Sequence, residues 1–102
     1  MLKLISLLRR PEGMSKEEFR SWVLDEHVVL ARQLPGLRSY TVSLPGDGDS
    51  DSAYDCVNEL YFDDEEARAA AFASELGKAV AADAAAHASE RVHLVTTEYR
   101  QL

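Results

Sequence analysis

The segment from Met14 to Tyr40, MSKEEFRSWVLDEHVVLARQLPGLRSY, places the tightest limits on what this chain can fold into. Ser15 is a favoured helix N-cap, and Glu18 three positions later completes a capping box. Met14 before the cap and Phe19 at the fourth helical position make a hydrophobic staple. At the other end Pro35 and Gly36 follow Leu34, and neither favours continuing a helix. Between these signals Phe19, Val23, His27, Leu30 and Leu34 recur at spacings of three or four, which is one stripe of a helix. Trp22 widens the stripe. The pattern predicts one amphipathic helix, a hard stop, then a strand that includes Tyr40.

His27 is the polar member of that apolar stripe, so it faces whatever the helix packs against. Two readings follow from its position. One is a core histidine satisfied by a hydrogen bond. The other is an imidazole lining a cavity, where an ordinary pKa of about 6.5 suits it to moving protons near neutral pH. Glu26 is adjacent in sequence but lies about 100° around the helix, so it need not be the partner.

The remaining elements are read in order. Leu2–Leu8 is a short apolar run closed by Arg9, Arg10, Pro11 and Gly13, which predicts a strand buried on both faces. Leu37–Leu44 alternates, with Tyr40, Val42 and Leu44 on one face. Tyr54–Phe62 is a further strand, with Cys56, Leu60 and Phe62 opposed to Asp55, Val57, Glu59 and Tyr61. Glu59 is either an edge charge facing solvent or a carboxylate pointing into a pocket. Asp63 opens a helical region that Gly77 interrupts. An alanine-rich helix over Lys78–Ala88 follows, with Val80, Ala84 and His87 on its inward stripe. His87 has the same two readings, structural or pocket-lining. Arg91–Tyr99 is the last strand.

Strand, helix, strand, strand, helical pair, strand is the split β-α-β layout of the ferredoxin-like fold, an α+β class in a single domain over residues 1–102. Its sheet is antiparallel, with helices on one face. The other face of four apolar strands would expose a large patch to water. Two such sheets packed together remove it, so the expected state is a homodimer about a two-fold axis.

Charge and composition exclude several function classes. The net charge is −7, from 18 acids against 11 lysines and arginines. Nucleic-acid binding needs basic surface to displace phosphate counterions, and anionic membranes are disfavoured for the same reason. No apolar run approaches the ~20 residues of a membrane span, and the N-terminus lacks a signal-peptide layout. A soluble cytoplasmic protein is the expectation. The single Cys56, read as a small core residue, fits a reducing compartment. Asp47, Asp49 and Asp51 are spaced like the opening of a calcium loop. Ser52 and Asn58 stand where that loop needs its glycine and bidentate glutamate, so no metal site is expected. A small hydrophobic ligand suits the chain better than a polyanion.

These same residues carry a family resemblance. Leu4–Leu8, the glycine turn, M-S-x-E-E-F, Trp22, E-H, L-P-G-L-R-x-Y and Y-D-x-V-x-E-L-Y-F-D are together similar to the EthD family. That family belongs to the dimeric α+β barrel superfamily, with muconolactone isomerases and small monooxygenases. The resemblance implies a ferredoxin-like protomer, a sheet-paired dimer, and a cavity between helices and sheet. It places the family's helix histidine on His27, its tyrosine on Tyr40, its acidic strand pair on Asp55 and Glu59, and its aromatic before the histidine on Trp22. Two positions depart from it: Val29 replaces a common proline, and His87 replaces a common aromatic, which makes the cavity more polar.

The expected function is a cofactor-free acid–base enzyme of isomerase, cyclase or lyase type. Its substrate would be a small hydrophobic carbonyl or lactone compound of a degradation or secondary-metabolite pathway. His27 is the general base or acid. Tyr40 orients substrate or donates to an oxyanion. Glu59 fixes the imidazole tautomer or carries a second proton. Trp22, Asp55, Tyr61 and His87 are expected ligand contacts. The alternatives are a non-catalytic small-molecule binder or accessory protein and, third, a small monooxygenase.

Overall fold

The capping box forms as the sequence requires: Ser15 Oγ accepts from Glu18 N at 3.0 Å, and Glu18 Oε1 accepts from Ser15 N at 3.1 Å. This start and the other elements are seen in a computed structural model that describes residues 1–46 and 52–102. Asp47, Asp49 and Asp51 fall outside the described residues. β1 is Leu2–Arg9. The first helical rod joins α1 (Lys16–Ser21), a π-helix (Trp22–His27) and α2 (Val28–Ala31). Then come β2 (Ser39–Ser43), β3 (Cys56–Phe62), α3 (Glu65–Ala73), α4 (Glu75–His87) and β4 (Glu90–Thr97). Among the described residues, no helix is long and apolar enough to cross a membrane.

The rod ends at Ala31, three residues short of the Leu34 that the sequence pattern reached: i+3 bonds from Gln33 N to Leu30 O and from Leu34 N to Ala31 O tighten the chain into a turn with the geometry that Pro-Gly favours. Leu37 N donates to Leu34 O at 3.3 Å, with Pro35 second and Gly36 third at φ +77°. That positive φ is the reason for glycine at the third position of a type II turn.

All strand pairs are antiparallel, in the order β2-β3-β1-β4, and the helices cover one face. This is the ferredoxin-like α+β fold. On the covered face the register sets side chains in rows. Leu8 lies opposite Cys56, and Leu4 opposite Leu60. Each row belongs to its own apolar cluster, Leu8 and Cys56 with Phe19, Trp22 and Val23, and Leu4 and Leu60 with Leu34, Phe62 and Val80. Between them runs a polar row, Asn58–Ser6–His93 across β3, β1 and β4.

The expectation that β1 is buried on both faces is met on one only. Leu4, Ser6 and Leu8 are buried beneath the helices, whereas Ile5 and Leu7 on the other face are half-buried and Leu94 beside them is 48% exposed.

The second helical region breaks at Ser74, three residues before Gly77. Ser74 ends α3 and caps α4, its Oγ accepting from Gly77 N at 3.0 Å. Gly77 is helical, and it is glycine for a packing reason. A Cβ there would lie 2.1 Å from Ala71 O and 2.5 Å from the Phe72 Cα. Backbone cannot yield as a flexible side chain can, so Gly77→Ala should cost about 2–3 kcal/mol. Calorimetry should show Tm falling by roughly 8–20 °C; an unchanged Tm would contradict the close approach of α3 and α4.

Candidate functional site

His27 faces the interior four residues after buried Val23, and a change of pitch in the rod brings Trp22 beside it. In an α-helix Trp22 and His27, five residues apart, would lie about 140° from one another. The π-helix replaces i+4 with i+5 hydrogen bonding, as where Val28 N donates to Val23 O, and this brings both rings to the buried face. His27 is 5% exposed and Trp22 3%. Their centroids lie 4.8 Å apart, and His87 stacks on the indole at 4.7 Å and 16°.

Asp83, on α4, holds these rings. Its Oδ2 lies 2.8 Å from His27 Nδ1, and its Oδ1 accepts from Trp22 Nε1 at 3.3 Å. His87 Nδ1 lies 2.9 Å from the Asp83 carbonyl and 3.2 Å from Oδ1. A carboxylate only accepts, so the proton between Asp83 and neutral His27 sits on Nδ1. Nε2 is then the basic nitrogen; among the described residues the hydrogen bond of the His27 ring is made at Nδ1.

His27 lines a cavity of about 250 Å³ between helices and sheet. The sheet gives it Leu4, Ser6, Tyr40, Asn58, Leu60 and His93, and α4 roofs it with Val80, Ala81 and Ala84. It exists because the side chains around it are short: Ser6, Ala31, Ala81 and Ala84 leave space that a longer residue would fill. Tyr40 Oη donates to Asn58 Oδ1 at 3.4 Å, and Asn58 Nδ2 donates to Ser6 O at 3.3 Å. Burial first, then the nearby Cys56, holds the Tyr40 phenol far above its ordinary range. Tyr40 is therefore a proton-bearing donor near neutral pH. Cys56 is fully buried and its thiol is pushed up to about 12 by burial, so it is a packing residue. Burial, then Arg91 and Arg68, push His93 below its ordinary value, which leaves it neutral at pH 7.

The structure therefore brings His27 and Tyr40 to one cavity and places the other expected residues elsewhere. Trp22 and His87 stand behind His27 as a ring stack and do not line the cavity. Glu59 and Tyr61 are on the opposite face of the sheet, because strand alternation sets them against Asn58 and Leu60. There Glu59 pairs with Lys3 Nζ at 2.8 Å, and Tyr61 Oη donates to Glu98 at 2.8 Å. Asp55 accepts from Arg10 N at 2.8 Å, which ties the end of β1 to the start of β3. The carboxylate beside the His27 ring is Asp83, and Glu59 does not reach it.

Sequence reasoning missed Asp83, Asn58 and His93. Signals for two of them were present. Asp83 precedes His87 by four residues and follows Val80 by three, so it shares their helical face. Asn58 falls between Cys56 and Leu60 on their side of the strand. His93 depended on which face of an edge strand turns inward.

A four-stranded antiparallel sheet with helices on one face, the ferredoxin-like fold, defines the structural class. The EthD domain model matches residues 11–90, and the chain belongs to the EthD family. It is similar to an ethyl tert-butyl ether D (EthD) family protein from Bacillus halodurans C-125, at 32% identity and TM-score 0.85 over 97% of this chain and 99% of that one. It shares its fold with a dimeric ferredoxin-like protein of unknown function from Thermobifida fusca YX, at 18% identity and TM-score 0.77 over 95% of this chain and 90% of that one. SnoaB, a cofactor-independent oxygenase from Streptomyces nogalater, has the same fold at 18% identity and TM-score 0.72, over 99% and 95% of the two chains. No curated protein matches the chain.

The Asp83 contact gives a direct prediction. In ¹⁵N-histidine NMR at neutral pH, His27 should carry its proton on Nδ1. Asp83→Asn should move the population toward the Nε2–H form and cost about 1–3 kcal/mol of stability. A wild-type His27 protonated on Nε2 alone would contradict the assignment.

Proposed function

We propose that this protein is a cofactor-free acid–base enzyme of isomerase, cyclase or lyase type. Its substrate is a small hydrophobic carbonyl or lactone compound of a degradation or secondary-metabolite pathway. The observation that carries the reading is His27: Nδ1 is held by Asp83, and among the described residues Nε2 has no protein partner on an imidazole that lines a cavity. That arrangement suits a base that takes a proton from carbon next to a carbonyl. The neutral Tyr40 phenol in the same cavity is the donor to the oxyanion that forms: its single proton, given to Asn58 Oδ1 in the empty cavity, turns from that long 3.4 Å bond to the substrate oxygen. His27 then returns its proton to a different carbon or to a leaving oxygen. Positioned acid–base groups of this kind supply about 10²–10⁴-fold.

The test is proton exchange. In D₂O, the protein should accelerate α-deuteration of members of a panel of cyclic ketones and lactones, read by ¹H NMR. His27→Gln should lose about 10²–10⁴-fold of that rate while still binding the same compound. If His27→Gln exchanges as fast as the wild type, the catalytic role fails. Binding by the wild type without exchange would favour a non-catalytic carrier.

The proposed assembly is a homodimer joined through the uncovered sheet face, and the proposed location is the cytoplasm. The half-buried Ile5 and Leu7 beside exposed Leu94 support the dimer, since apolar surface of this kind gains free energy when removed from water. Light scattering at micromolar concentration should give twice the 11.3 kDa chain mass, and Leu94→Asp should shift it toward the monomer. A clean wild-type monomer would contradict this assembly.

A further inference from the structure

The charge inside the cavity is opposite to that of the molecule. The chain carries net −7, yet among the described residues no acidic side chain lines the cavity, while two cations, Arg68 and Arg91, do. The arginines belong to one end of it. Arg91 and His93 lie on the same face of β4, the edge strand, and α3 supplies Arg68. The depressed proton affinity of His93, which both guanidiniums contribute to, fits this shared end.

The two arginines are not equally engaged. Arg68 donates through Nε and Nη2 to Glu65 at 2.7 and 2.6 Å, so its charge is largely matched. Arg91 has no carboxylate partner among the described residues. Among the described residues this exposed side chain donates only to the Ala81 carbonyl at 3.2 Å, which places the guanidinium beside α4 at the cavity rim. A guanidinium without a carboxylate partner, at the rim of an apolar chamber, is suited to a planar two-oxygen anion, which it can bind through parallel N–H donors.

We propose that the cavity takes an amphiphilic carboxylic acid, whose carboxylate binds Arg91, with Arg68 adding to the local field, and whose apolar body lies over Leu60, Phe72 and Val80 toward His27. The proposal builds on the cavity reading above and narrows the ligand from any hydrophobic carbonyl compound to one with an acidic end. A carboxylate at Arg91 would also orient the compound, presenting its other end to the imidazole, which a neutral ligand in an apolar chamber would not require.

A matched probe pair tests it, 2-naphthoate against 2-naphthamide, which share size and shape and differ in charge. Binding is measured by NMR titration of the full chain, following the amide signals of His27, Tyr40 and Arg91. The acid should bind at least about tenfold more tightly than the amide, the gain expected for one charge-assisted contact. Arg91→Gln should abolish that preference by weakening the acid alone, and Arg91→Lys should restore part of it. An unchanged Tm in both variants shows that the fold is intact. Equal binding of acid and amide, with shifts at His27 and Tyr40, would overturn the head-group assignment and leave the cavity reading standing. So would an Arg91→Gln preference equal to the wild type. Absence of shifts at His27 and Tyr40 with either probe would overturn both.

Discussion

Asp83 has two carboxylate oxygens, and three aromatic side chains converge on it: Trp22, His27 and His87. This convergence fixes more than one ring. Two of the partners come from the first helical rod and one from α4, so a single carboxylate joins the two helices above the sheet. A buried imidazole without a partner would cost free energy, and Asp83 removes that cost at Nδ1 while leaving Nε2 available. The π-helix is part of the same device, since only an i+5 turn sets Trp22 and His27 side by side against one acceptor.

The cavity follows from how the sheet beneath is composed. Two apolar clusters anchor the two ends of the helical layer, and the Asn58–Ser6–His93 row lies between their rows. Ser6 is too short to reach the alanines of α4, so space remains where a leucine would have closed the core. Polar groups in that space are held by each other, Tyr40 on Asn58 and Asn58 on the Ser6 carbonyl, which keeps them satisfied and in fixed orientation. The result is a chamber with apolar walls and a few placed polar groups, the usual make-up of a small-molecule site. Net charge describes the outer surface and not this interior. The acids gather on the outside, where Glu59 and Glu98 pair with Lys3, while the arginines border the chamber.

Local sequence signals located the strands and helices of the fold, but not the π-helix at Trp22–His27 or the break at Ser74. Ser15 and Glu18 set the start of the first rod, Pro35 and Gly36 set its stop, and alternation in β2 and β3 sorted their faces before any packing was known. The order of elements then left the ferredoxin-like sheet as the natural topology. His27 and Tyr40 were legible because each belongs to a strong periodic pattern, one helical and one strand-like. Glu59 was not, because both faces of β3 carry bulky side chains: with Val57 and Tyr61 on one side and Leu60 and Phe62 on the other, alternation separates the faces without saying which meets the helices. Gly77 showed the same limit. Its presence marked a local constraint, but the nearness of Ala71 and Phe72 that demands it exists only once α3 and α4 meet.

What the sequence settled by itself was which side chains share a face, since helical and strand periods are properties of the local backbone. What tertiary structure alone decided was which faces meet. The bond between His27 and Asp83 joins residues 56 positions apart, and Arg91 and His93 reach the cavity through an edge strand beside β1. No periodicity encodes such pairings. They arise when the helices settle on the sheet at a distance set by the alanines and serine between them.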